Sequence, residues 1–327
     1  MKHLRLGRSG LKVSRICLGT MTFGAGADDQ VSFQLMDRFL ELGGTFLDTA
    51  DQYSMGVSEE VVGRWIRARG VRDQVVLATK VFTQMGPGAN DGGLSRIHIQ
   101  RAVEDSLRRL QTDVIDLYQI HRWDFTAPPE ETLEALNDLV RQGKVRYIGC
   151  SNLKAWHLSA YLQLAREQHR SRFISLQPIY NVLNRGIENE VLELCAREGL
   201  GVIVYNPLAG GVLTGKYSRD ASPLSGTRLG DSEGYQQRYY TERALDIVDE
   251  FCAAARVRGV TPAQLALAWV LAESRVTCPI VGARTVAQLD DTLGGLDIAL
   301  TPEERAVLPA MRPGRWVGID PVYDRQP

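Results

Sequence analysis

Eight short runs rich in Val, Ile, Leu and Tyr, most followed by a longer segment of helical period, leave this chain few architectures to adopt. The runs fall at 13–20, 45–50, 75–80, 115–121, 145–151, 173–178, 201–206 and 277–282. Between them, apolar residues recur every three or four positions at 31–42, 58–69, 95–110, 130–142, 154–168 and 187–198. Along 95–110, for instance, Ile99, Val103, Leu107 and Leu110 share one side. The short runs are near-continuous rather than alternating, as parallel strands covered on the outside by helices require. Eight such units predict a closed (β/α)8 TIM barrel in one domain spanning 1–327. A doubly wound open sheet is the competitor, but no Gly-x-Gly-x-x-Gly follows any run.

Segments 3–7 and 11–13 flank Arg8-Ser9-Gly10, a β-hairpin signal expected to plug the closed end of the barrel. A long insertion at 207–240, rich in Gly, Ser and Arg, is placed over the open mouth. Thr261-Pro262-Ala263-Gln264 and Thr301-Pro302-Glu303-Glu304 read as capping boxes that start the last barrel helix and a C-terminal helix. The tail 313–327 reads as loosely ordered. With a net charge of -1 the chain lacks the concentrated cationic surface that nucleic acid demands. No stretch approaches the roughly 20 apolar residues of a membrane span, and Met1–Arg5 lacks the apolar core of a signal peptide, so a cytoplasmic protein is expected. The five cysteines, with no C-x-x-C pair, read as reduced core residues. The five histidines are scattered without metal spacing, and no metal is expected.

Several runs end in polar side chains: Asp48 followed by Tyr53, then Lys80, His121, and Ser151-Asn152. Taken singly, Asp48 is a strand-end cap, Lys80 a solvated charge and His121 a core or turn histidine. At successive strand tips, where α/β enzymes do chemistry, they form a set. An ammonium at Lys80 stabilises the phenolate of Tyr53 and draws that phenol toward the working range. A buried lysine needs a counterion, and Asp48 occupies the adjacent tip. His121 then directs the substrate oxygen. The set amounts to a proton donor beside a bound carbonyl.

The runs Phe46-Leu47-Asp48-Thr49-Ala50 with Tyr53, Ala78-Thr79-Lys80, Ile115-Asp116-Leu117-Tyr118 with His121, and Gly149-Cys150-Ser151-Asn152 resemble those of the aldo-keto reductases over almost the whole chain. The resemblance implies a nicotinamide enzyme that reduces an aldehyde or ketone, with Tyr53 as general acid/base assisted by Asp48, Lys80 and His121. It further implies that Ser151, Asn152 and Gln177 hold the nicotinamide carboxamide while Tyr205 stacks on the ring. Gly19, Thr20, Met21 and Asp48 would complete that end of the cofactor site. Asn206, Pro207, Leu208 and Gly210 are similar to the family's pyrophosphate strap, with Asn206 where many members carry Ser; Lys216 and Arg228 would lie over it. Gly282, Ala283, Arg284, Gln288 and Asp291 resemble the adenosine-phosphate segment, with Asp291 where many relatives carry Asn. Arg284 near a helix start suits a 2′-phosphate, which favours NADPH over NADH. Phe23, Trp123 and the loop 54–57 are expected to line the substrate pocket with Tyr53 and His121.

Other functions compete. Asn90–Ser95 and 144–152 are similar to a bacterial branch that includes NDP-deoxysugar 2,3-enoyl reductases. A cofactor-sensing protein with little turnover, like the channel β-subunits built on this barrel, is a second alternative, and Schiff-base aldolase chemistry through Lys80 a third. Gly210–Lys216 matches Gly-x4-Gly-Lys, yet Tyr217 stands where a P-loop needs Ser or Thr, and an NTPase is rejected. The expected partner is a small carbonyl compound; oligomeric state is left open, a homo-oligomer included.

Overall fold

The computed structural model describes residues 1–217, 219 and 225–312. An antiparallel hairpin, β1 (His3–Arg5) with β2 (Lys12–Ser14), precedes β3 (Cys17–Gly19) and α1 (Asp29–Glu41). Then follow β4 (Phe46–Asp48), α2 (Val57–Arg69), β5 (Val76–Val81), α3 (Arg96–Leu110), β6 (Ile115–Ile120) and α4 (Pro129–Arg141). The second half continues with β7 (Val145–Ser151), α5 (Ala155–Glu167), β8 (Phe173–Gln177), α6 (Val191–Glu198) and β9 (Gly201–Val204). After the insertion come α7 (Glu233–Tyr239), α8 (Glu242–Val257), α9 (Pro262–Leu271), β10 (Cys278–Val281), α10 (Val286–Leu293) and α11 (Pro302–Val307).

Strands β3 to β10 close into a parallel barrel in the order β10-β3-β4-β5-β6-β7-β8-β9, and the expected (β/α)8 architecture is the one that forms. The run expected as one strand at 13–20 is split between the hairpin and the barrel: Val13 pairs with Leu4, and only Cys17–Gly19 joins β4. Leu6 and Val13 are buried with Cys17, Phe46, Ala78, Leu117, Ile203 and Cys278, so the hairpin seals the barrel interior from below. Gly7 makes this closure possible. Its φ is +61°, and a Cβ there would stand 2.5 Å from the Gly199 carbonyl oxygen.

Helix starts follow local chemistry. Asp28 and Ser95 accept backbone N–H bonds at the entries to α1 and α3, and both expected capping boxes form, at Thr261 with Gln264 and at Thr301 with Glu304. The insertion is not all loop, since α7 lies within it and α8, capped by Thr241, begins directly behind it with Leu245, Val248, Phe251 and Cys252 buried. Residues 218, 220–224 and the tail 313–327, read from sequence as loosely ordered, lie outside the described residues. All five cysteines are buried free thiols. No helix among the described residues is long and apolar enough to cross a membrane.

Candidate active site

Parallel register brings the polar tips together. Gly19 is opposite Asp48, Asp48 opposite Ala78, and Lys80, two residues on, opposite Gln119. Lys80 is fully buried, and its Nζ donates to Asp48 Oδ1 at 2.5 Å, to the Thr49 carbonyl at 2.8 Å and to the Tyr53 hydroxyl at 3.2 Å. The other carboxylate oxygen of Asp48 accepts the side-chain amides of Gln177 at 2.8 Å and Gln119 at 3.2 Å. The Tyr53 and His121 rings meet edge to face, 6.1 Å between centroids.

The turn that carries Tyr53 is braced from outside the barrel. Ser54, Met55 and Gly56 all take left-handed φ, at +50°, +52° and +92°, which is strained for the first two. Arg109 of α3 presses on Gly56, where a Cβ would come within 2.7 Å of its Cδ. Arg109 is itself paired at 2.7 Å with Glu59, fully buried, which accepts from the Thr79 hydroxyl at 2.6 Å. Asp51, also buried, accepts the Gln52 N–H at 2.6 Å; burial, then the neighbouring Glu59 carboxylate, push its carboxyl up to about 7.

Burial alone would pull the Lys80 ammonium down, but Asp48 and Tyr53 outweigh it and the group stands above its ordinary value. A lysine held protonated is a poor imine-forming nucleophile, which argues against Schiff-base chemistry. Tyr53 requires a correction. Burial raises its phenol, the Lys80 charge draws it back and Asp48 pushes it up again, so the phenol stands above its ordinary value rather than near neutrality. Burial, then Lys80 and Arg122, hold His121 well below the usual imidazole range, and the ring is neutral at pH 7.

A cleft of about 480 Å³ opens at the strand tips. Its lining includes Asp48, Tyr53 and His121 at the floor and Gly19, Met21, Ser151, Asn152, Gln177 and Tyr205 around them. Asn206, Pro207, Leu208, Gly210, Lys216 and Arg228 form one wall; Gly282, Ala283, Arg284, Gln288 and Asp291 form the far end. The Tyr205 hydroxyl bonds Asn152 Oδ1 at 2.8 Å, and the Asn206 amide reaches the Tyr235 hydroxyl at 3.1 Å. Arg228 donates to the Met21 sulfur at 3.0 Å, and the Arg284 guanidinium donates to the Gly226 carbonyl, so the insertion is latched across the mouth. Asp291 gives one carboxylate oxygen to the α9 cap, accepting from Thr261 and Gln264 at 2.9 and 3.2 Å.

Four expectations fall elsewhere, the first being the loop 54–57, none of whose residues lines the cleft. Thr20 is fully buried, its hydroxyl 2.8 Å from that of Ser58, and does not line the cleft. Phe23 is fully buried in the apolar core, and Trp123 stacks on His157 at 4.3 Å between centroids; neither side chain lines the cleft. Gly211, which continues the strap, lines it too, and Gln52, Thr22, Thr214 and Tyr235 line it without an expected role in the site. Gln119 also escaped notice, though a glutamine inside an apolar run, in register with Lys80, was the available signal. No group of three or more His, Cys, Asp or Glu placed to hold a metal occurs among the described residues.

The profile of the Aldo/keto reductase family matches residues 15–311. The chain belongs to that family. Among similar proteins, this aldo/keto reductase is 41% identical to the "uncharacterized oxidoreductase YrpG" of Bacillus subtilis, covering 96% of this chain and 97% of that protein. It is 35% identical to the versiconal hemiacetal acetate reductase of Aspergillus parasiticus, over 93% of this chain and 95% of the relative. It is likewise 35% identical to the aryl-alcohol dehydrogenase [NADP(+)] of Phanerodontia chrysosporium, over 91% of this chain and 82% of the relative.

Proposed function

We propose that this aldo/keto reductase uses NADPH to reduce an aldehyde or ketone to the alcohol, with Tyr53 as the general acid. The observation that carries the reading is a phenol 3.2 Å from a buried ammonium that is itself fixed at 2.5 Å to a carboxylate, on the floor of a long cleft.

The residues fit a phosphorylated dinucleotide. Gly210 and Gly211, at φ +68° and +91°, leave the strap without side chains, and positive charge stands at Lys216 and Arg228 on that wall and at Arg284 at the far end. Arg284 lies just before α10, whose N-terminus adds a favourable field for a 2′-phosphate. Ser151, Asn152, Gln177 and Tyr205 would hold the nicotinamide end beside Asp48 and Tyr53. When bound, the cofactor supplies a hydride to the carbonyl carbon.

Proton delivery is the task of the protein. A phenol held protonated at neutral pH keeps its hydrogen until negative charge builds on the substrate oxygen. At that point the Lys80 ammonium stabilises the phenolate left behind, while Asp48, anchored by Gln119 and Gln177, keeps the ammonium in place. The versiconal hemiacetal acetate reductase and the NADP(+) aryl-alcohol dehydrogenase support a carbonyl substrate and this cofactor. The test is a panel of small aliphatic and aryl aldehydes with NADPH, followed at the nicotinamide absorbance, for wild type and Tyr53→Phe. Oxidation by wild type and its loss in the variant are expected; turnover that persists without the phenol would remove Tyr53 from the role.

A further inference from the structure

Behind the turn that carries Tyr53 lies a buried cluster of charges that the reductase reading leaves without a task. Asp51 and Glu59 are both fully buried, and the guanidinium beside them, that of Arg109, belongs to Glu59, with Nε and Nη2 each 2.7 Å from it. Asp51 Oδ1 accepts the Gln52 N–H at 2.6 Å, whereas Oδ2 meets no donor among the described residues. The groups that face this carboxyl come from several elements. Glu59 is on α2 and Arg109 on α3; Tyr118, on β6, has a buried hydroxyl that likewise finds no partner among the described residues and feels both carboxylates. Asp105 of α3 acts on that phenol in turn. From β5 and the residue after it come only backbone groups: the Lys80 carbonyl, which accepts the Asp51 N–H at 3.3 Å, and the Phe82 N–H. Burial, then Glu59, outweigh the Gln52 N–H, Arg109 and the Phe82 N–H, which favour the anion, and push the Asp51 carboxyl up to about 7.

We propose that Asp51 is a positioning residue for the proton donor: uncharged, its carboxyl holds the turn through the Gln52 N–H, and ionised, it is driven from the Glu59 carboxylate and draws the turn, with Tyr53, out of place. This rests on the reductase reading and adds to it a proton that acts away from the reacting atoms. The turn is built to respond. Gln52 and Tyr53 directly follow Asp51, and Ser54 and Met55 beyond them sit at φ +50° and +52°, a conformation that persists only while its surroundings enforce it. Tyr53, Lys80 and His121 keep their charge between about pH 6 and about pH 9, because the phenol and the ammonium stand above their ordinary values and the imidazole well below its own. Among these groups, an inflection of the chemical step near neutrality therefore has Asp51 as its source.

The experiment makes two measurements on the full chain. With NADPH, benzaldehyde and enzyme in excess, the single-turnover rate of NADPH oxidation is followed from about pH 6 to about pH 9. Wild type should slow by about 10- to 100-fold across that range, the cost of a donor displaced by about 1 Å. Asp51→Asn, uncharged throughout and still offering an oxygen to the Gln52 N–H, should show no such fall. Glu59→Gln, which removes the facing charge, should move the midpoint of the fall down by about 1 pH unit. A residue that merely filled space would change the rate and leave its pH profile alone. With neither cofactor nor substrate, the backbone ¹⁵N–¹H resonances of Gln52, Ser54 and Met55 should titrate together at about pH 7 in wild type and stay still in Asp51→Asn. A flat wild-type rate profile overturns the proposal, as does a fall that persists in Asp51→Asn, or amides that do not move. Failure of the reductase reading is distinct: wild type would leave NADPH unoxidised at every pH, an outcome on which the amide titration does not depend.

Discussion

Replacing Asp48 by Asn removes the counterion of a fully buried lysine while leaving the side-chain shape almost unchanged. Two losses add. The ammonium loses its 2.5 Å partner, and whichever oxygen becomes an amino group, an existing donor from Lys80, or from Gln119 and Gln177, faces another donor. Breaking a buried pair at one end costs about 3–5 kcal/mol. At roughly 2–4 °C per kcal/mol, the unfolding midpoint should drop by about 6–20 °C near neutral pH. The pH dependence gives a sharper signature. In wild type the folded Lys80 stands above its unfolded value, so its stabilisation is complete below about pH 10.4 and is lost only as pH rises through the higher folded value. In Asp48→Asn burial acts without Asp48, the folded value falls below the unfolded one, and stability rises with pH between the two. Thermal unfolding followed by circular dichroism from about pH 6 to about pH 10 should therefore show the two proteins converging toward the alkaline end. Equal midpoints, or a gap that stays constant across that range, would refute the claim that Asp48 keeps Lys80 charged.

Tyr53→Phe should lower kcat for aldehyde reduction by about 100- to 10,000-fold, with a circular dichroism spectrum like that of wild type. Arg284→Ala should weaken NADPH binding by about 10- to 100-fold, the loss of a charge-assisted contact, and leave NADH binding nearly unchanged, as read by fluorescence titration; equal losses for both would move the 2′-phosphate elsewhere. Asp51 has a folded value raised to about 7, so it is destabilising once pH exceeds its unfolded value near 3.9 and fully so above about 7. Asp51→Asn, which keeps an oxygen for the Gln52 N–H, should raise the unfolding midpoint at about pH 8, and the gain should vanish toward pH 4.

The barrel was legible because parallel strands with both faces covered read as unbroken apolar runs, and because polar residues that end such a run, as Asp48, Lys80 and His121 do, stand out. What the sequence concealed depends on contacts between distant segments. That the Tyr53 phenol would stand high follows from how deeply the loop packs, which no spacing reports. Phe23 follows a strand tip like a pocket residue but turns into the core, and Trp123 finds His157, more than 30 positions on. The brace by Arg109, packed on Gly56 and paired with Glu59, joins α3 to the turn before α2 and has no local signature. Helix α8 is different, since Thr241 followed by Leu245, Val248, Cys252 and Ala255 at helical spacing is a local signal, although it lies directly behind a Gly-rich insertion.

Asp48, Lys80 and Gln119 come from three neighbouring strands and Gln177 from a fourth across the barrel, and all four meet in a single hydrogen-bonded knot. Such a knot has no partial form: until the first and second halves of the chain have docked, the carboxylate lacks an amide and the ammonium lacks a dry setting. Recovery of turnover during refolding is thus a reporter of completed circular closure, and a fragment ending before β8 would be inert however well its own strands paired.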